Sequence, residues 1–270
     1  LLLMFFSFIV LISSSSKQEE PAAYISFYKE KVAALKKEQK ELLTIIQKTD
    51  SLSDNNIKII LNKINASRLA LKETDFWLRY FEPVAYKKIN GPLPVEWETE
   101  VFEKYEAPYK REGAGLTLAE LYLGEKKIYK DSLASLINAS LQATDVFMTD
   151  SITRNLNTQH HFFLANRMFL LNLAAIYTTG FECPDTSRII PELMHVMEST
   201  NELYTAFDQS FPSYKINKDY ISLFKETISF VKNQPEDYTR FDHFKFIQNF
   251  INPLYQLNHS MILGYNIRTT

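Results

Sequence analysis

Glycine is scarce in this chain and unevenly placed. Only six of its 270 residues are glycine, and four of these lie between positions 91 and 124. Glycine permits left-handed turns and weakens helices. The stretches 1–90, 125–179 and 181–263 contain none. The sequence therefore predicts long helices, interrupted by one irregular segment at 91–124.

Apolar residues recur at the alternating spacing of three and four that is typical of amphipathic helices. No segment shows the period-two alternation of a strand. A further helix is expected to begin near Leu116. The longer predicted helices cover 21–47, 54–81, 126–147, 153–178, 188–207, 216–233 and 239–265.

The predicted fold class is all-α, with two packed up-and-down helical bundles. The first half is expected at 21–111 and contains the loop 90–111. The second half is expected at 112–270. An apolar content of 46% is enough for such a core.

The amino terminus has the pattern of an export signal. Its first twelve residues are almost continuously apolar, and the small residues Ser13 to Ser16 follow. We therefore assign 1–20 to a signal segment and expect a periplasmic protein. A buried helix is the alternative interpretation. A lipid tether to the membrane stays open, because serine stands where a lipoprotein carries its cysteine.

Charge and cysteine content exclude several functions. The net charge of −2 gives no electrostatic footprint for nucleic acid. With Cys183 as the only cysteine, the chain cannot form an internal disulfide or a thiolate zinc site. It has no Cys-x-x-Cys-His motif for covalent haem and no common hydrolase or phosphate-binding motif. We assign no catalytic residue.

Two ionisable residues lie on the apolar stripe of the helix predicted at 54–81. Arg68 and Asp75 are seven residues apart and share one face. A buried charge needs a partner. We expect these two, with Glu120, to form a buried polar network at the junction of the bundles. The alternative is that the stripe rotates and both side chains reach water.

The loop 90–98 is the predicted contact surface. Asn90, Gly91 and Pro92 force a turn, and the neighbouring prolines hold the chain extended. Trp97 follows within the same loop. We expect these four residues to contact a partner.

A metal site has weak candidates. Glu192-x-x-His195 has the helical spacing used by di-iron carboxylate proteins, which need two such motifs and two further glutamates. The chain contains one. Glu120, Glu192 and His195 are therefore the candidate ligands, without a complete set.

The start of the helix near Leu116 resembles a motif of imelysin-like proteins, which are exported helical proteins linked to bacterial iron uptake. Gly115 and Glu120 match their Gly-x-His-x-x-Glu pattern, and Thr117 stands where the family has histidine. The resemblance implies an imelysin-like fold and, as one alternative, a periplasmic protein that binds metal or iron. Another interpretation is that Glu120 pairs with Arg68 or caps a helix.

Most of the chain after residue 20 resembles the helical region that precedes the haem domains in some bacterial di-haem cytochrome c peroxidases. The similar blocks are Arg68 to Pro94, Glu112 to Glu120, Thr179 to Phe181, Pro191-Glu192, and Phe241-Asp242 to Tyr255.

This second resemblance implies a non-catalytic periplasmic domain without a cofactor of its own. Its partners would be downstream haem domains, or an electron-donor protein. Haem c would be held by a downstream region with two Cys-x-x-Cys-His motifs. Peroxide reduction would then belong to the parent protein.

Overall fold

The computed structural model describes residues 22–98 and 109–269. Helices dominate these residues, so the all-α prediction is confirmed. The predicted export segment 1–20 lies outside them. The α-helices are α1 Ala22–Lys48, α2 Asp54–Lys72, α3 Asp75–Phe81, α4 Pro83–Ile89, α5 Gly115–Tyr122, α6 Lys130–Asp145, α7 Asp150–Leu156, α8 His160–Asn172, α9 Ile189–Ser210, α10 Lys218–Lys232, α11 His243–Phe246 and α12 Asn252–Gly264.

The long helix α1 organises the core. Its stripe of Tyr24, Tyr28, Val32 and Leu35 is buried and packs against α2, α6 and α9. Trp77 lies beside it and donates a hydrogen bond from its indole nitrogen to the Tyr24 hydroxyl at 2.8 Å. One hydrophobic cluster joins side chains from both predicted halves. The predicted division of the chain into two halves at residue 111 stays a prediction.

Two predicted helices are wrong in their continuity. The helix expected at 54–81 breaks at Glu73–Thr74, where the Thr74 hydroxyl donates to the backbone carbonyl of Leu71. Asp75 therefore opens α3 and does not continue the stripe of Arg68. The helix expected at 153–178 breaks at 157–159 and ends in the π-helical segment Leu173–Tyr177.

The absence of strands was also a wrong prediction. Two short strands, β1 Val95–Glu98 and β2 Tyr109–Arg111, pair antiparallel, with Val95 opposite Arg111 and Glu98 opposite Tyr109. The prolines before β1 predicted the extended chain, but its pairing with a second strand was not predicted. Trp97 falls in β1, and its side chain lies outside the part of the structure that is described.

Two glycines make turns that other residues would strain. Gly115 has φ of 58°, and a Cβ there would lie 2.0 Å from the Ile89 carbonyl oxygen. Gly180 has φ of 71° just after the π-helical segment. Left-handed backbone favours glycine. Both turns bring the chain back to the region where α2, α3, α5 and α9 meet.

Among the described helices, none has both the length and the apolar composition needed to span a bilayer. A second π-helical segment, Ile247–Ile251, precedes α12. Pro253 lies in the first turn of that helix, at the division that its presence predicted.

Candidate functional site

Eight ionisable side chains meet where α2, α3, α5 and α9 come together, and none of them is more than 16% exposed. Four are basic and four are acidic, so their formal charges cancel. Ion pairs of 4.0 Å or less connect them. We call this set the junction network; its members are Arg68, Lys72, Asp75, Arg79, Glu120, Glu182, Arg188 and Glu192.

The central ion pair joins Arg68 of α2 to Glu192 of α9. The arginine Nε donates to Oε1 at 2.8 Å, and Nη2 donates to Oε2 at 2.9 Å. The same guanidinium donates to the Asn90 side-chain oxygen at 3.2 Å and to the Glu182 backbone carbonyl at 2.8 Å. This two-pronged geometry, with further acceptors, is what allows a buried ion pair to offset its desolvation cost.

Both partners of this pair keep their charges. Burial alone would raise the pKa of Glu192, but the positive charges of Arg68 and Lys72 hold it below its ordinary value. Burial alone would lower the pKa of Arg68, but Glu192 raises it above its ordinary value. The pair is therefore ionised at neutral pH, and removing either partner would leave a buried charge.

A second group is built around Arg79 of α3. Its Nε donates to Asp75 at 3.1 Å, and its Nη2 donates to the Tyr86 hydroxyl at 2.7 Å and also to Glu182. The guanidinium lies 4.1 Å from the centre of the Tyr86 ring. Burial would raise the pKa of Asp75, but Arg79 and Lys72 hold it below its ordinary value.

Lys72 joins the two groups. Its ammonium lies 3.5 Å from an oxygen of Asp75 and 4.0 Å from an oxygen of Glu192. It also lies 4.6 Å from the ring centre of Tyr177, the last residue of the π-helical segment. Lys72 thus interacts with an acid of each group, Asp75 on α3 and Glu192 on α9.

Glu120 has a different partner from the one that the sequence suggested. Its carboxylate accepts a hydrogen bond from Nη2 of Arg188 and not from Arg68. Arg188 also donates to the side chain of Asn65 on α2 and lies 3.3 Å from Asp185. Arg68, Asp75 and Glu120 therefore belong to one network, but other side chains of the network connect them and they do not contact each other directly.

The residues of the irregular segment converge on the same place. Asn90 donates to Glu182 at 3.2 Å and accepts from the Thr117 hydroxyl at 2.9 Å. The Thr117 hydroxyl also lies 3.1 Å from the Glu182 backbone carbonyl. Asn90 forms a β-bridge with Gly115, and the Gly91 amide donates to the Ala114 carbonyl.

The weak metal candidates do not come together. Glu192 is bound to Arg68, and Glu120 to Arg188. His195 lies on the more exposed side of α9, with its Nε2 3.1 Å from Glu73. In residues 22–98 and 109–269, no three histidine, cysteine, aspartate or glutamate side chains are grouped as metal ligands.

Cys183 borders the network but is not an activated thiol. Burial and the charge of Glu192 raise the pKa of Cys183 to about 11. Its sulfur donates to the Asp185 carbonyl at 3.2 Å. A thiol that stays protonated at neutral pH is a poor nucleophile.

The acids and bases of the junction network neutralise each other. The network is therefore suited to joining chain segments.

Several members were missed by the sequence analysis. Arg79 follows Asp75 by four residues, which is a helical ion-pair spacing that could have been recognised. Glu182 gave no such signal, whereas Arg188 precedes Glu192 by four residues and gave the same one. Their partners Arg79 and Glu120 lie 103 and 68 residues away in the chain.

Comparison with known protein families, with curated proteins and with solved structures finds no match for this chain.

Proposed function

We propose that this chain is a non-catalytic periplasmic helical domain that positions a partner, and that the partner is the haem-bearing region of a di-haem cytochrome c peroxidase. The chain would supply a rigid attachment. Peroxide reduction would be the activity of the haem-bearing region. The electron-donor protein of such a peroxidase is the alternative partner.

The observation that carries this proposal is how the segment leading into β1 is fixed. The Asn90 side chain contacts Arg68, Glu182 and Thr117. The Gly91 amide donates to the Ala114 carbonyl at 3.1 Å, and the Leu93 amide donates to the Phe181 carbonyl at 2.9 Å.

These contacts join both ends of the β1–β2 segment to the junction network, since Ala114 follows β2 by three residues. A segment held at both ends loses less conformational entropy when it binds than a free loop does. That is the arrangement expected of a contact surface.

The resemblance to peroxidase-associated helical regions gives further support. Its blocks are distant in sequence, yet they supply Arg68, Asn90, Thr117, Gly180 and Glu192. These residues line one junction and the turns that lead into it. Four of the five blocks therefore meet in one physical unit, the junction network and its connections, which supports a shared positioning role; the block 241–255 supplies none of these residues.

Covalent haem does not fit these residues, so the proposal assigns haem c to a downstream region. Covalent haem needs two cysteines and a histidine in the order Cys-x-x-Cys-His. Cys183 is followed by Pro184 and Asp185 and donates to the Asp185 carbonyl. When bound elsewhere, haem supplies the redox chemistry, while the network here holds the helices that carry the contact segment.

The imelysin-like metal function has no specific contact in its favour and stays a prediction. Thr117 occupies the position of the motif histidine, and its hydroxyl is bound to Asn90. A metal at Glu120 would have to compete with Arg188 for the carboxylate. Binding there would require ligands from elsewhere.

The first experiment is genetic. The coding DNA on either side of this segment is sequenced in the source genome. Two Cys-x-x-Cys-His motifs in the same reading frame would support the proposal. If they are present, residues 21–265 are deleted from the parent protein, and its haem spectra and peroxide turnover are measured. Unchanged spectra and turnover would remove the positioning role.

The second experiment tests the contact surface by calorimetric titration. The full chain is titrated with the purified haem-bearing region from the same organism, and the variant Trp97→Ala is compared with the control Tyr129→Ala. Tyr129 is an exposed aromatic residue at the start of α6. We expect Trp97→Ala to weaken binding at least about tenfold, because aromatic anchors dominate interfaces. Equal affinities of both variants and the parent chain would contradict the assignment.

A further inference from the structure

Lys72 has polar neighbours at distances that leave its ammonium group incompletely bonded. Its side chain is 5% exposed, and the nearest carboxylate oxygens are those of Asp75 at 3.5 Å and Glu192 at 4.0 Å. Hydrogen bonds from an ammonium to a carboxylate are usually about 2.7–2.9 Å long. An ammonium carries three donors. Separations of this size between buried charges are those that a water molecule bridges.

A small cavity adjoins this ammonium. Its walls include Lys72, Tyr177, Glu182, Cys183 and Glu192, and the space open to the centre of a water molecule is about 10 Å³. One water needs roughly 10–15 Å³ on this measure and two to four polar partners. The cavity therefore has room for a single molecule of that size.

Tyr177 provides a further polar partner. Its hydroxyl is buried and interacts with the Asp75 carboxylate, although no hydrogen bond within standard geometric limits joins the two in the described chain. Burial and the negative charge of Asp75 raise the pKa of Tyr177 well above its ordinary value, so the hydroxyl stays protonated. Tyr177 is the last residue of a π-helical segment, and such segments often occur at functional positions in helices.

The charges around the cavity select a neutral guest. A small cation would be repelled by Lys72 and by nearby Arg68, while a small anion would be repelled by Glu182 and Glu192. An apolar guest would leave the ammonium and the hydroxyl unsatisfied. Water accepts from a lysine and donates to a carboxylate, so it satisfies both signs of charge.

We propose that this cavity is a binding site for one ordered water molecule that bridges Lys72, Glu192 and Tyr177. The water accepts a hydrogen bond from the lysine ammonium and donates one to the glutamate carboxylate. Its remaining hydrogen bond is shared with the tyrosine hydroxyl. The water is thus a structural member of the junction network, and this role does not depend on the proposed peroxidase partner.

A crystal structure of the full chain that orders internal waters tests the site directly. We expect one density peak about 2.7–3.2 Å from the Lys72 nitrogen and from a Glu192 oxygen. Direct contact between Lys72 and Glu192 with no peak between them would overturn the proposal. A peak with the anomalous signal of an ion would also overturn it.

Oxygen-17 magnetic relaxation dispersion counts long-lived internal waters in solution and provides the variant test. Lys72→Met keeps the apolar stem and removes the ammonium, and we expect it to lose one long-lived water. Lys58→Met is the matched control, because Lys58 is an exposed lysine on the same helix. We expect that control to keep the parent count.

Tyr177→Phe keeps the ring and removes one partner, so we expect the water to remain with a shorter residence time. This milder variant decides the question if Lys72→Met does not fold. An unchanged residence time in Tyr177→Phe, or an unchanged count in a folded Lys72→Met, would contradict the site.

Discussion

Two clusters of buried polar side chains in the described part of the chain differ in kind. The junction network consists of charged side chains from distant segments. A second set, the amide cluster, is neutral and lies between α8, α9, α10 and α12; it consists of Asn166, Tyr204, Tyr220 and Asn258. Asn166 donates to the Tyr220 hydroxyl and to the Asn258 oxygen, both at 2.9 Å, and accepts from the Tyr204 hydroxyl at 2.7 Å.

The two clusters differ in the free energy that is lost when one partner is removed. In the amide cluster, losing one partner leaves a neutral group unsatisfied, which costs about 1–3 kcal/mol. In the junction network, it leaves an uncompensated charge, which costs about 3–5 kcal/mol. The charged region therefore fixes its helices more selectively, and it depends on pH, whereas the neutral region does not.

The largest predicted effect comes from breaking the central ion pair. Arg68→Met should lower the free energy of unfolding at pH 7 by about 3–5 kcal/mol, because the buried Glu192 carboxylate loses its main partner. Urea denaturation followed by far-ultraviolet circular dichroism measures this. A loss under about 1 kcal/mol, the value of an exposed pair, would show that water reaches the network freely.

The next effect tests the neutral region. Asn166→Ala should lower the free energy of unfolding by about 1–3 kcal/mol, because it removes the buried hydrogen bonds to three partner residues, while Tyr204 and Tyr220 keep each other as partners at 2.8 Å. The same denaturation measurement applies. If the loss equals that of Arg68→Met, the contrast between charged and neutral regions is wrong.

The third effect is a pH dependence that should appear in one region only. The pKa values of Asp75 and Glu192 are lowered in the folded chain by neighbouring cations, although burial alone would raise them. Their stabilisation is therefore present above the ordinary carboxyl range and is lost as pH falls below about 4.5 towards the lowered values.

In Arg68→Met, Glu192 keeps only the more distant cations Lys72 and Arg188, both at 4.0 Å, so it binds a proton more readily than in the parent chain. The destabilisation caused by this variant should therefore shrink between pH 7 and pH 4. That of Asn166→Ala should stay constant over the same range. Parallel curves for the two variants would contradict the assignment of charge to the junction network.

The smallest effect concerns the motif position Thr117. Thr117→Val keeps the shape and removes the hydroxyl, which should cost about 0.5–1.5 kcal/mol. Its acceptors, the Asn90 oxygen and the Glu182 carbonyl, still accept hydrogen bonds from Arg68. Thermal unfolding compared with Arg68→Met measures the difference. A loss as large as that of Arg68→Met would make Thr117, and not the ion pair, the main support of the segment 90–94.

Much of the helical pattern could be predicted, and the errors have identifiable causes. The break between α2 and α3 depends on the Thr74 side chain bonding to the Leu71 carbonyl, a local competition that periodicity does not show. The strands β1 and β2 are too short to give an alternating signal. Glycine content predicted an irregular segment at 91–124, but not the β-bridge between Asn90 and Gly115.

Sequence alone determined that the chain is helical, that its irregular segment lies near 91–124, and that Arg68 belongs to an otherwise apolar stripe. Only the tertiary structure decided which carboxylate each arginine meets. Arg68 and Glu192 are 124 residues apart, and several acids have the same local pattern. Local periodicity reports which face of a helix is apolar, whereas the choice of partner depends on how whole helices pack.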